Sequence, residues 1–441
     1  MVDVPADQAQ QSPRPTAETV ISFLHALKLS THSRPVATGV TCIVTDDERS
    51  LVNTFVCFED ATPARDVING TLVREDLDVD RTVAIFPDMA WDAIRRLRSA
   101  VSTTTTPRVV VLSQYLDAHL RPNWLCESLI DGSEYAGGWL REDDFIAQSG
   151  LVDGVRIDAL QHLYSKWAPG QSPRLCMVLA PAGHGKSKVT HILAKRLARK
   201  YLGDETGSFP PLPFLISFSQ YRRSTAFKAL IMLELERPGR PDITIDAFLM
   251  LVRLGRILFI LDGYDEMLEA VPETAKGNIA EFVQGSGGNS RIILTSRSVF
   301  YRTSVDVIGD MGDPTLADDE IQILDLQPFD RSQARAYLAK RLAKVPDGAQ
   351  VLERAQRALE DKHGLAVLQN PFFLSEFAGS IEQRRWSVRD LRRQGFLEFL
   401  IESVCAGARA TGTQLQRSRA ACVPGGDGVG HADDRRRWVY S

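Results

Sequence analysis

One stretch limits this chain more than any other: LCMVLAPAGHGKSKVTHIL, in which five apolar residues suited to a buried strand run into a glycine-containing loop and then a helical pattern. Glycine accepts positive φ at no steric cost, so Gly183 and Gly185 let the backbone curl until its N–H groups point at phosphate oxygens. The helix that follows adds partial positive charge at its N-terminus. Lys186 is then placed to reach the β- and γ-phosphates of ATP or GTP, and the Ser187 hydroxyl to ligate magnesium. The predicted nucleotide loop comprises Ala180, Pro181, Ala182, Gly183, His184, Gly185, Lys186 and Ser187. His184 reads as an exposed loop residue and not as a catalyst.

This is a Walker A arrangement with alanine in the first glycine position. A partner motif lies downstream in RILFILDGYDEM, where a buried apolar strand runs into Asp262 at its carboxyl end. In open α/β sheets ligands bind at that end, so Asp262 is placed to hold the magnesium on Ser187, commonly through water. Asp265 and Glu266 follow on the next turn, and either is positioned to orient the attacking water as a general base. A further strand, RIILTS, ends in Thr295 and Ser296 and is followed by Arg297, which is placed to reach the γ-phosphate and report its presence.

The surroundings of these motifs alternate strands with helices. RLCMVLA, FLISFS, RILFILD and RIILTS are short and almost wholly apolar, as strands of a parallel sheet covered on both faces are. The expected fold is therefore α/β, with a P-loop NTPase over residues 151–325. Ahead of it, GVTCIVTD and LVNTFVCF read as a hairpin, followed by TVAIF, a helix-like AWDAIRRLRSAV and RVVVLSQ; this makes residues 18–121 a small α/β domain. Residues 1–17 read as a disordered leader and 122–150, with Gly132, Gly137 and Gly138, as a linker. Residues 326–405 turn helical, and 406–441 have no apolar period and read as a disordered, truncated or frame-shifted tail.

With a net charge of −4 over 441 residues, no global electrostatic drive toward nucleic acid or anionic membrane exists. Six scattered cysteines form no C-x-x-C pair, which argues against a zinc site or disulfide framework. A polar N-terminus and the lack of a ~20-residue apolar run point to a cytoplasmic protein with no membrane span.

The trio APAGHGKS, LFILDGYDEM and ILTSR resembles the NACHT branch of the STAND family, signal-transduction ATPases that work as switches. The most telling residues are Asp262-Gly263-Tyr264-Asp265-Glu266. LQPFDRSQARAYL looks like the start of that family's first helical subdomain, and Pro371, in LQNPFFL, resembles a winged-helix proline that packs near bound nucleotide. The resemblance covers about residues 150 to 400. It implies ATP/ADP with Mg2+ as cofactors, slow hydrolysis, a closed ADP-bound resting form, and a homo-oligomer on activation by an unknown protein or phage-derived trigger in bacterial antiphage defence.

The N-terminal domain resembles the Mrr-like restriction-endonuclease fold found ahead of some bacterial NACHT modules. DNA is then a partner to consider. The metal-binding acid of such a nuclease is replaced by Thr41, however, and the strand that would carry its lysine reads Val56-Cys57-Phe58. Cleavage needs a carboxylate for the metal and a lysine beside it, so the resemblance implies an inactive nuclease domain.

Overall fold

Two β-branched runs separated by the polar DERS form the antiparallel pair expected of them. In the computed structural model, β2 (Val40–Thr45) and β3 (Thr54–Phe58) pair from Val40 with Phe58 to Val44 with Thr54. The structure describes residues 16–46, 54–60, 79–88, 108–131, 142–165, 173–203, 210–218, 227–236, 243–270, 291–301, 320–343, 359–360 and 362–382, with isolated positions between them. Helix α1 (Thr16–Ala26) buries Val20, Phe23 and Leu24, the i, i+3, i+4 stripe of an amphipathic helix. Its first N–H groups, on Thr16 and Ala17, donate to the Glu59 carboxylate at 2.6 and 2.9 Å, so Glu59 is a cap and not a bystander on the surface.

The first sheet has the order β1-β2-β3-β4-β5. β1 (Thr31–Ala37) is a polar edge strand with a register shift beside Pro35, a residue tolerated at edges because it lacks a ladder donor. β4 (Thr82–Phe86) and β5 (Arg108–Val111) add in parallel. Helix α2 (Leu112–Ala118) follows directly.

Of the expected linker 122–150, the first ten residues are helical, while Gly132, Gly137 and Gly138 lie outside the described residues. Helix α3 (Pro122–Asp131) buries Leu125, Cys126 and Leu129, an apolar stripe that outweighs the composition of the stretch as a whole. The segment ends in β6 (Ser149–Val152), which pairs with β7 (Val155–Asp158) through Asp153 and Gly154. Both turn residues have positive φ, as a two-residue type I′ hairpin requires.

The second sheet has the order β7-β6-β12-β8-β11-β10-β9. β8 (Leu175–Leu179), β9 (Leu212–Ser217), β10 (Ile257–Asp262), β11 (Arg291–Ser296) and β12 (Ile321–Leu326) run parallel to their neighbours, with the β6–β7 hairpin antiparallel at one edge. Every residue of β8, β10 and β11 is buried, as strands covered on both faces must be. The covering helices include α4 (Ala159–Ser165), α5 (Lys186–Leu202), α6 (Phe227–Leu235) and α7 (Ile245–Arg253). Helix α8 (Tyr264–Ala270) follows β10. After β12, Asp330 and Gln333 form a reciprocal capping box, and α9 (Arg331–Leu342), α10 (Lys362–Leu368) and α11 (Pro371–Glu382) follow.

The two sheets are joined by buried polar contacts. Tyr201, at the end of α5, donates its hydroxyl to Asp117 Oδ2 at 2.6 Å. Arg256, just before β10, donates Nε to Asp117 Oδ1 at 3.0 Å and a terminal nitrogen to Oδ2. The side chains of Arg256 and Asp117 are 8% and 4% exposed. Burial alone would lower the guanidinium pKa, but the Asp117 charge and hydrogen bonds raise it above its ordinary value. Thr244 Oγ1, at the N-cap of α7, donates to the Ala26 carbonyl at the end of α1, and α3 packs on α5.

The chain divides into two units, Met1–Ser375 and Glu376–Ser441; of the second, the structure describes the end of α11. AWDAIRRLRSAV and IAEFVQ lie largely outside the described residues, VLERAQRALEDK in part, and LRRQGFLEFLIESV and the tail 406–441 wholly so. Among the described residues no helix is long and apolar enough to cross a membrane.

Candidate nucleotide site

β8 delivers the chain to Ala180 at the carboxyl end of the parallel sheet, and α5 leaves from Lys186. Gly183 and Gly185 have φ of +77° and +89°. Gly185 is the N-cap of α5, and no side chain caps that end, so the first N–H groups of a 17-residue helix border the loop. Lys186 Nζ donates to the carbonyls of Ala180 (2.9 Å) and Pro181 (3.3 Å). Its pKa lies below the ordinary lysine value because of burial, with the Asp265 and Asp262 charges opposing that shift.

Asp262 ends β10 and is 4% exposed. Thr295 Oγ1, at the end of β11, donates to its Oδ1 at 2.9 Å and accepts from Gly263 N at 2.8 Å. Thr190 Oγ1 lies 3.4 Å from the same oxygen while bonding back to the Ser187 carbonyl at 3.1 Å. His191 Nε2 faces Oδ2 at 3.7 Å. Burial alone would raise this carboxyl's pKa, but His191, Ser187 and Thr295 hold it below the usual range.

The turn after Asp262 uses Gly263 at φ +83° and starts α8, bringing Asp265 and Glu266 to the same edge. Asp265 is 5% exposed and accepts from Arg297 Nε at 2.8 Å; a terminal nitrogen of Arg297 reaches Glu269 at 2.5 Å. Burial raises the Asp265 pKa above its ordinary value against the pull of Lys186 and Arg297. Glu266 is half-buried beside Gly263. Arg297 thus meets the downstream acids of the Asp262 turn.

Pro371 also comes to the loop. It opens α11, where a proline costs no hydrogen bond. The preceding Asn370 donates Nδ2 to the Ala182 carbonyl at 3.1 Å, and Phe372 N donates to the Gly183 carbonyl at 3.0 Å. A Cβ on Gly183 would stand 2.8 Å from Asn370 Oδ1, and one on Gly185 would stand 4.0 Å from Pro371. Gln148 holds the loop from another side: its Nε2 donates to the carbonyls of His184 (2.9 Å) and Gln327 (2.7 Å). His184 is half-buried beside it and not fully exposed.

Sequence reasoning assigned no role to Gln148, Thr190, His191, Thr295 or Asn370. For His191 a signal existed, since it follows Ser187 by four positions and so shares its helix face. Gln148 and Asn370 reach the loop through the tertiary fold, and no local pattern marks them.

Residues 174–344 match the model of the NACHT domain. No curated protein is matched by the chain. Solved structures similar to it include a Walker-type ATPase of Pyrococcus abyssi, 15% identical, covering 54% of this chain and 71% of that chain with a TM-score of 0.35. The Aeropyrum pernix ORC1 protein in complex with DNA is 16% identical, with 61% and 66% covered and a TM-score of 0.35. The Thermotoga maritima RuvB Holliday junction branch migration motor is 14% identical, with 52% and 74% covered and a TM-score of 0.24. Residues 174–344 of this chain are accordingly a NACHT domain, a nucleotide-binding module of the P-loop NTPase class.

Proposed function

We propose that this chain is an ATP/ADP-dependent signalling switch of the NACHT and STAND type, in which slow hydrolysis controls homo-oligomerisation in response to a protein or phage-derived trigger in bacterial antiphage defence. It acts in the cytoplasm. The observation that carries the reading is the convergence on one loop: Lys186, Ser187 and Asp262 stand on its sheet side, while Asn370 and Phe372 hydrogen-bond its Ala182 and Gly183 carbonyls. A change in the loop on phosphate binding is thereby felt at the start of α11.

In this reading the loop amides and Lys186 bind the β- and γ-phosphates, and Pro371 lies against the nucleotide. Asp265 or Glu266 orients the attacking water, and Arg297 exchanges its acidic partners for the γ-phosphate. The donor set at Ser187 and Asp262 fits magnesium, a hard cation that prefers carboxylate and hydroxyl oxygens and keeps several waters. Among the described residues no group of three or more His, Cys, Asp or Glu gathers as a cage, so phosphate and water would complete its shell. When bound, the ion would neutralise charge on the phosphate oxygens.

The test is to extract nucleotide from the purified chain, identify it by chromatography, and follow phosphate release with added ATP. Co-purified ADP and turnover well below one per second are expected. An empty site with fast turnover would refute the switch.

A second reading, an ATP-driven DNA-processing nuclease, draws on the N-terminal domain. Its β2–β3 hairpin supports a restriction-endonuclease-like fold for residues 18–121. Against cleavage stands Phe58, at the position of the required lysine, which is fully buried and stacked on Phe86 with ring centroids 4.2 Å apart. Metal-dependent DNA cutting by the full chain would reverse the order of the two readings.

A further inference from the structure

We infer that His191, acting with Thr295, is a positioning residue that fixes which oxygen of the Asp262 carboxylate is offered to a magnesium ion; the inference rests on the nucleotide-switch reading above. An aspartate's terminal torsion is broad and nearly two-fold, so a carboxylate held at one oxygen can still swing or exchange its oxygens. Here both sides are occupied. Thr295 Oγ1 donates to Oδ1 at 2.9 Å, and that hydroxyl is itself held by the Gly263 N–H at 2.8 Å. On the other side the His191 ring faces Oδ2 at 3.7 Å. At that separation the ring makes no direct hydrogen bond; it stands beside Oδ2 as a buried neighbour and restricts the carboxylate by its bulk.

His191 is buried, with its side chain 8% exposed, and it rises from the same face of α5 as Ser187, four residues earlier. The hydroxyl and the imidazole therefore approach the carboxylate from one rigid helix, while Thr295 approaches from a neighbouring strand. Groups one step removed from a metal ion typically tune its affinity by ~10- to 100-fold by orienting the ligand. A residue that merely fills space would affect folding or all nucleotide binding alike, and this difference separates the two roles.

The test uses the full-length protein and a fluorescent ADP, with free Mg2+ varied from chelated to millimolar. For His191→Leu and Thr295→Val, the half-saturating Mg2+ should rise about ten-fold or more, while ADP affinity in excess chelator stays within about two-fold of wild type. His191→Gln, which keeps a polar side chain of similar reach, should recover much of the Mg2+ response. Unchanged Mg2+ dependence in either Thr295→Val or His191→Leu would overturn the inference, as would an equal loss with and without Mg2+. A wild-type chain that binds ADP with no Mg2+ effect, or a Lys186→Ala chain that binds as wild type, would instead remove the underlying reading, and the inference with it.

Discussion

Removing one member of the Asp117–Arg256 pair should cost far more than removing both. Asp117 accepts from Nε and a terminal nitrogen of Arg256 and from the Tyr201 hydroxyl, and both charged side chains are almost fully excluded from water. Asp117→Leu would leave a buried guanidinium without its counter-charge, for which about 3–5 kcal/mol is the usual loss. That is roughly two to three and a half powers of ten in the unfolding equilibrium. In a folded unit of this size it corresponds to a fall in Tm of about 6–10 °C, taking roughly 2 °C for each kcal/mol. Arg256→Met alone should cost a similar amount by stranding the carboxylate. The double variant Asp117→Leu with Arg256→Met should return most of the loss, because apolar replacement of a buried pair is often near neutral. The assay is a double-mutant cycle on the full chain by denaturant and thermal unfolding. Single variants within about 1 kcal/mol of wild type, or additive effects in the double, would refute the argument, since a solvated pair behaves that way.

Lys186→Ala should weaken ATP and ADP binding by roughly ten- to a hundred-fold, the value of a charge-assisted hydrogen bond, in equilibrium titration of a folded variant. Asp265→Ala and Glu266→Ala should slow phosphate release more than they weaken binding, and equal losses would count against a water-orienting role. Gly183→Ala meets both a φ of +77° and Asn370 at 2.8 Å, so it should destabilise by about 1–3 kcal/mol and speed hydrogen exchange at residues 370–374. Burial holds the His119 pKa below its ordinary 6.5 despite hydrogen bonding to the Tyr115 and Leu116 carbonyls. The unfolded chain then binds more protons, so stability present above pH 6.5 should fall as pH drops toward the lowered value. His119→Gln should flatten that dependence in unfolding scans between pH 5 and 7.5.

The strands that build the nucleotide site were legible because each is a continuous apolar run ending in a chemically distinctive residue. β8 runs into the glycine loop, β10 into Asp262 and β11 up to Arg297. β1 and β12 were not. β1, THSRPVA, is mostly exposed and has no alternation to read, while β12 carries Gln322 and Asp325 that break its apolar run. The β6–β7 hairpin was not read either: its short arms merge into the helical pattern of ALQHLYS and leave Asp153-Gly154 as its sole local signal. Within the site, the residues of the loop and of the acidic turn follow from local pattern. The residues that hold them, Gln148, Thr295 and Asn370, arrive from separate elements, and their roles depend on a topology no window of sequence contains.

The seam between the two sheets bears on how such a chain can be inherited. An effector tethered by a flexible linker can be traded for another by recombination within that linker. In this chain α2 supplies the carboxylate, the foot of β10 supplies the guanidinium and the far end of α5 supplies the phenol. The Ala26 carbonyl of α1 is tied to Thr244 besides. An incoming N-terminal domain must bring an acid to the place of Asp117 or arrive with compensating changes at Arg256 and Tyr201. The five-stranded N-terminal sheet and the nucleotide module should therefore descend as a matched pair, with positions 117, 201 and 256 changing together.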